Sequence, residues 1–255
     1  MKRILVVSDL HLGSNVAICL PEEYDTDNNQ SYTANEISRF YFDKWCEMRN
    51  LGHFDMVVVN GDVVDGSNPK SSGIGTYTSD IHSQAVMAAK LLKMIDTDEF
   101  LFTDGSAYHT GRFKGGISGD HLTCDLIGGK WLGLWDNFTV EGINLHVQHH
   151  GAVSSTPYGR CTPQQKTALL MKAQDTPSDI YIHSHTHKFV FSGNSTNLTI
   201  GTPCWKGIDD FIGKMHQDIP DNGYVIIEVE NNDYTWKYHI FGVPFAFYKK
   251  GMLKF

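Results

Sequence analysis

Residues 3–11 read RILVVSDLH. A short run of aliphatic and β-branched side chains, apolar on both faces, breaks at Asp9, and His11 follows two positions later. An apolar run of this length with polar flanks predicts a strand buried on both faces. The same grammar recurs along the chain. DMVVVN at 55–60 leads into Gly61-Asp62-Val63-Val64-Asp65, and EFLFT at 99–103 leads into Gly105-Ser106-Ala107-Tyr108-His109. INLHVQH at 143–149 ends on His149, with His150 and Gly151 next, and DIYIH at 179–183 opens onto Ser184-His185-Thr186-His187. Ligand-type side chains therefore fall repeatedly at the carboxyl ends of predicted strands, which is where open α/β sheets build their sites.

The intervening segments read mainly as helices and loops. Residues 13–32 are polar and predict a long loop that forms a lid; 104–119 is a Gly-rich loop. Thr33 with Glu36 fits a capping box opening a helix to about residue 50. Helices are also predicted over 80–95 and from Pro163 to Gln174, with the proline near the first turn. Further β-like runs lie at 188–192, 197–200, 223–229 and 234–241. Strand and helix alternate early and strands dominate late, which predicts an α/β sandwich whose later strands pair antiparallel.

The chain has 255 residues and 41% hydrophobic content, enough for one sizeable core. We expect a single domain over 1–255, with 13–32 and 104–130 as loop insertions near the site. The formal charge is −8 with no block of consecutive Lys or Arg, so the basic stripe of a duplex-binding protein is missing. Nucleic acid stays open as a partner only because bound cations can supply positive charge locally. Five widely spaced cysteines without a C-x-x-C pair read as free thiols in a reducing compartment. The N-terminus reads as a strand, not a signal peptide, and no apolar run reaches membrane-spanning length. Together these predict a cytoplasmic chain; oligomeric state is not legible.

Thirteen histidines make up a large share of the potential ligands. In extended chain, positions i and i+2 point to one side, so Asp9 with His11, and His185 with His187, could each present two groups to one place. Carboxylate oxygen with imidazole nitrogen suits Mn, Fe, Zn or Co. Asp62 is a further carboxylate able to bridge, and so many ligands favour two ions over one. A single-zinc hydrolase needs only three protein ligands and an open position, fewer than the sequence offers. Each motif alone has a bland reading, as a surface pair or a turn; the five in this order do not.

D-x-H, G-D-x-x-D, a G-x-H element, His before Gly, and H-x-H together resemble the ordered signature of the calcineurin-like metallophosphoesterases. The resemblance runs from Asp9 to His187, with Gly201-Thr202-Pro203 echoing a later turn. It implies a four-layer α/β/β/α sandwich of two mixed β-sheets flanked by helices. It also implies two divalent ions, expected to be Mn with Fe, Zn or Ni as alternatives. The implied ligands are Asp9, His11, Asp62, His149, His185 and His187, with His109 protonating the leaving group.

The chain departs from that signature in places. The family's third motif carries an Asn ligand before its His, and none precedes His109 here. Asp120, in Gly119-Asp120-His121, is one candidate replacement, and that segment could itself be the motif. His150 competes with His149. Ser184 replaces a glycine. Asp65 stands where purple acid phosphatases carry a tyrosinate, and reads either as a ligand or as a carboxylate shaping the turn. Arg112, Lys114 and Arg160 could meet phosphate or be solvated loop charges. Tyr24, Tyr32, Tyr77, Tyr108 and Trp205 could line a substrate or pack locally. Cys161 and Ser154 show no paired base and read as structural.

The expected activity is phosphoester hydrolysis, with a phosphodiester preferred, by a hydroxide bridging two ions. A phosphomonoesterase, a protein phosphatase and a catalytically inactive scaffold are the alternatives.

Overall fold

The computed structural model describes residues 1–25, 30–68, 73–111, 116, 118–151, 154, 156–208 and 219–244. Arg112 and Lys114 lie outside the described residues. In chain order the elements begin β1 (Lys2–Val7), β2 (Glu22–Asp25), β3 (Gln30–Thr33), α1 (Glu36–Arg49), β4 (Met56–Asn60), α2 (Ile81–Leu92) and β5 (Phe100–Thr103). They continue with α3 (Ala107–Thr110), α4 (Gly119–Ile127), β6 (Lys130–Gly133), β7 (Trp135–Val140), β8 (Ile143–Gln148), α5 (Thr162–Ala173) and β9 (Ile180–His183). Last come β10 (Val190–Gly193), β11 (Leu198–Gly201), β12 (Gly223–Glu230) and β13 (Asp233–Ile240).

Two sheets form, ordered β13-β12-β1-β4-β5-β6 and β10-β11-β9-β8-β7. In the first, β1, β4, β5 and β6 run parallel, with β12 and β13 antiparallel at one side. The side-chain period of two splits each apolar run between two cores. Leu5, Val7, Val57 and Val59 face Tyr41, Trp45 and Met48 of α1 and Met87, Leu91 and Leu92 of α2. Ile4, Val6 and Val58 face the second sheet's Leu145, Val147, Ile180, Ile182 and Ile200. Helix α5 covers the outer face of that sheet, packing Ala168 and Met171 against Tyr181 of β9. Each such aliphatic chain contributes ~1.5–3 kcal/mol by leaving water. The result is two mixed sheets packed face to face, with helices outside both.

Several local expectations change. The late strands do pair antiparallel in β10–β11 and β12–β13, but β8, β9 and β11 run parallel; between β8 and β9, α5 provides the crossover that parallel neighbours require. The cap of α1 is Asn35, whose Oδ1 accepts from the Ser38 amide at 3.0 Å; Thr33 belongs to β3. The 13–32 segment is not one loop, since β2 and β3 pair as a hairpin within it. Within 104–130, α4 places Cys124 in the helix-side core, so this part is structural. Strands β6 and β7 went unread because their side chains are half-buried or exposed, without the apolar run that marks an inner strand.

The five cysteines form no disulfide. No helix among the described residues is long and apolar enough to cross a membrane.

Candidate metal centre

The carboxyl ends of β1, β4, β5, β8 and β9 meet at one edge of the sandwich. Asp9 and His11 follow β1, Asp62 follows β4, His149 follows β8, and His185 and His187 follow β9. The first sheet thus supplies three of these side chains and the second sheet the other three.

Their backbone is unusual. Asp9, His11, Asp62, His185 and His187 all have positive φ, at 51°, 48°, 49°, 71° and 55°. Non-glycine residues adopt this left-handed region rarely and at a cost of order 1–3 kcal/mol each, and such outliers cluster at functional sites. Asp9 and His11 therefore share one donor group, by tight left-handed turns and not by strand alternation, whereas His185 and His187 fall in different groups. Gly61 and Gly105 make room for the packing. A Cβ on Gly61 would come within 2.4 Å of the His149 ring, and one on Gly105 within 2.3 Å of the Asp62 amide nitrogen.

Two groups of donor atoms result, Asp9/His11/His187 and Asp62/His149/His185, each with all its atoms within 4.8 Å of one another. Asp9 Oδ1 lies 3.3 Å from His187 Nε2 and 4.0 Å from both His11 Nε2 and His149 Nε2. Asp62 Oδ2 lies 3.1 Å from His149 Nε2 and 3.8 Å from His185 Nδ1. Asp9 Oδ1 and His149 Nε2 are buried yet make no hydrogen bond. Buried polar atoms normally find a partner, so this donor set fits cations. His109 joins His11 and Asp62 in a third overlapping group; its Nδ1 bonds the Asp65 carbonyl at 2.8 Å.

A supporting shell orients these groups. His149 Nδ1 donates to the Asn60 carbonyl at 2.7 Å, leaving Nε2 to face the carboxylates. Asp65 Oδ1 accepts from His11 Nδ1 at 3.0 Å and from Lys206 Nζ at 2.9 Å. Asp65 therefore stands behind His11. The Ser106 amide and hydroxyl both donate to Asp62 Oδ1, at 2.7 and 3.0 Å. Asp120 accepts from the Val63 and Gly105 amides, at 3.0 Å each, and does not join the donor groups. It ties the second turn to the third; Ser106 occupies the position beside Asp62. Beneath the pocket, Thr103, Asn60, Ser184, Thr202 and Ser8 form a buried hydrogen-bonded chain across the strand ends of both sheets, with links of 2.6–2.7 Å.

Charge follows from this packing. Burial alone would raise the carboxyls of Asp9 and Asp62, but the neighbouring His187 and His149 outweigh it and hold both below the usual range. Burial would lower His149, and Asp62 and Asp9 reverse that, pushing it up to about 9. Burial works against His187 too, and Cys204 and Asp9 raise it. His11 goes the other way, to about 3, through burial and then Lys206. Burial, then Asp62 and Asp104, push Asp120 up to about 8.

His109, His185 and His187 are part-exposed, at 19%, 29% and 15%, whereas Asp9, His11, Asp62 and His149 are sealed. The site opens on the imidazole side. His150 is exposed, with its ring 4.3 Å from that of His185; His149 is the buried member of the pair. Trp205 is buried against Trp45 and belongs to the core. Tyr77 bonds Asn35 and Ser38 at the start of α1, Tyr32 packs on Tyr77, and Tyr108 bonds Asn68. Nothing is described for the Tyr24 side chain. Sequence reasoning missed Lys206, Ser106 and Asn60. A lysine in an apolar stretch next to Trp205 was the one available signal, and it was weak.

No protein-family model and no curated protein matches the sequence. Solved structures do. The chain is similar to Vps29 of Chaetomium thermophilum, at 10% identity over 96% of this chain and 100% of that one, with a TM-score of 0.51. It is also similar to a protein described as a novel archaeal phosphodiesterase, at 13% identity over 93% and 100%, with a TM-score of 0.50. At such identities the likeness is one of fold.

Proposed function

We propose that this chain, whose fold is that of the calcineurin-like metallophosphoesterases, hydrolyses phosphate esters with two divalent metal ions. One observation carries the reading. Asp9 Oδ1 and His149 Nε2 are buried at the pocket without a hydrogen-bond partner, between two sets of carboxylate and imidazole donors whose atoms lie within 4.8 Å of one another. Leaving buried polar atoms unpaired is costly. Two divalent cations would satisfy them.

Asp9, His11 and His187 would hold one ion, and Asp62, His149 and His185 the other, with Asp9 and Asp62 between them. Oxygen with imidazole suits Mn(II), with Fe(II) and Zn(II) as close competitors. Bound there, the ions would supply Lewis acidity and a water activated for in-line attack. The chain's own residues do the rest. His109, held through Nδ1 by the Asp65 carbonyl, keeps Nε2 free to give a proton to the departing alkoxide. Asp65 and the Asn60 carbonyl fix the ring orientations of His11 and His149.

A diester is the better substrate on charge grounds. A monoester dianion calls for extra fixed cations, and among the described residues the open side offers imidazoles, while Lys206 is paired with Asp65. The fold-level likeness to the archaeal phosphodiesterase points the same way. The competing reading is a chain that binds ions without turnover; it rests on Ser106 standing where the resemblance calls for asparagine. Metal analysis with hydrolysis of a chromogenic bis-phosphodiester against the matching monoester decides. Mn(II)-dependent turnover favouring the diester is expected. Bound metal without turnover on either ester supports the scaffold, and no metal with no turnover removes both readings.

A further inference from the structure

Among the described residues, β13 ends one sheet and β10 ends the other, and ring contacts join the two ends. Phe191 packs on Trp236 with centroids 5.0 Å apart, and Phe189 on Tyr238 at 4.3 Å. Phe191 and Tyr238 nevertheless stay about half exposed, at 51% and 49%. Strand β13 is eight residues long, and a long edge rich in aromatic side chains is a template for another strand. Its outward backbone groups follow from the ladder. The Phe241 amide donates to the Asn222 carbonyl at 2.9 Å, which continues the β12–β13 register. Bonded pairs alternate along an antiparallel ladder. Thr235, Lys237 and His239 therefore turn their N–H and C=O groups towards β12, and Tyr234, Trp236 and Tyr238 turn theirs outward. In keeping with this, the Tyr234 amide donates to the Asp233 carboxylate at 2.8 Å, and the Asn232 amide to the Glu141 carbonyl at 3.2 Å.

We propose that β13 is a self-complementary docking edge, at which two copies of this chain pair antiparallel about a twofold axis through Thr235. In that register Tyr234 meets Trp236 of the second copy, so the outward N–H and C=O groups of both residues find partners. The two aromatic side chains also cross at the seam, a pairing that stabilises antiparallel neighbours. Charge selects the register. Asp233 lies opposite Glu230 within its own sheet, and like charges directly opposite each other destabilise. Centring on Thr235 sets Lys237 of the second copy on the free side of Asp233, twice per dimer. Centring on Lys237 would set ammonium against ammonium, and centring on Trp236 would leave Asp233 facing His239. Asp233, Thr235 and Lys237 are all exposed. Lys237 Nζ reaches Glu228 at 2.9 Å, and an ammonium with three donors can serve a second carboxylate. The engaged Asn232 amide ends the ladder beyond Asp233. This inference does not depend on the metal reading.

The test is sedimentation velocity on the full chain across the micromolar range, for wild type, D233K, K237D, the charge-exchanged D233K/K237D, and T235R, which sets two guanidinium groups on the axis. Melting curves check folding. Wild type should show a monomer–dimer equilibrium. D233K, K237D and T235R should each associate roughly tenfold more weakly or worse, because like charges then stand opposite each other. D233K/K237D should return to within about threefold of wild type, a recovery that charges serving only their own chain would not give. Should K237D fail to fold beside Glu228, D233K and T235R carry the test. A wild-type chain that stays monomeric throughout, or that assembles open-endedly beyond the dimer, overturns the proposal. So do charge variants that dimerise as well as wild type, or a folded D233K/K237D chain as weak as the single variants.

Discussion

His11 and His187, 176 positions apart in sequence, face each other with their Nε2 atoms 3.1 Å apart. His11 Nδ1 donates to Asp65, so its Nε2 lone pair faces His187, and a proton held by His187 makes the contact a hydrogen bond in the metal-free chain. Imidazole nitrogens bound about 2.0–2.1 Å from a shared ion sit roughly 3 Å from one another. The same spacing, set by turns on opposite sheets, would suit two ligands on one cation.

Chelation should soften the protein. A ligand at a hundred times its Kd stabilises by about 2.7 kcal/mol, which for a chain of this size corresponds to roughly 5–10 °C in Tm. Chelator treatment should lower Tm by that order and added Mn(II) should restore it. Identical melting curves with and without metal would count against any ion at His11 and His187.

Replacing His109 with alanine should leave the bound ions in place and lower kcat by ~10²–10⁴, the usual contribution of a general acid. The deficit should shrink for esters with good leaving groups such as p-nitrophenolate, which need little protonation. A uniform loss across leaving groups, or loss of metal, would assign His109 a ligand role.

Metal uptake should expel protons at neutral pH. His149, raised to about 9, and His187, also raised, carry protons in the metal-free chain at pH 7, whereas His11, lowered to about 3, does not. Ligands must shed protons to bind, so Mn(II) affinity should rise as pH climbs from 7 towards 9. Calorimetry in two buffers of different ionisation enthalpy should show net release. The metal-free chain should behave oppositely. A group whose folded pKa is raised stabilises below its unfolded pKa and loses that contribution as pH rises through the folded value. His149 and Asp120, raised to about 9 and 8, share this sign, so Tm without metal should fall between about pH 6.5 and 9. A flat profile would show that the imidazoles are neutral in the metal-free pocket.

Gly105→Ala should damage the site by steric means alone. The added Cβ meets the Asp62 amide nitrogen and Oδ1, both at 2.3 Å. Displacing that turn should cost about 1–3 kcal/mol, the usual range for overpacking, and weaken Mn(II) binding at least tenfold. Near-normal affinity in a folded variant would mean Asp62 is not held where the ions require it.

The inner strands were legible because both faces of each are buried, and burial on both faces writes a continuous apolar run such as ILVV or MVVV. The edge strands β6 and β7 carry no such imprint. The pocket residues were legible because their chemistry repeats after each inner strand. The turns that aim them were not: left-handed φ at Asp9 or His187 depends on packing against the opposite sheet, not on local propensity. Asp65 was visible but its role was open, because the deciding partner, Lys206, comes from a distant loop. The interchange of Asp120 and Ser106 has the same origin. Both lie near Asp62, and only coordinates tell which one abuts its carboxylate.

Because Asp9, His11 and Asp62 hang from one sheet and His149, His185 and His187 from the other, a bound ion acts as a rivet through both layers. The sheets otherwise hold together by interdigitated apolar contacts and by the buried hydrogen-bonded chain from Thr103 to Ser8. Coordination bonds have fixed lengths and directions, so loading the pocket would also lock the register of the two sheets. Any shift of one layer over the other would then be read out as a change in the pocket's grip on its ions.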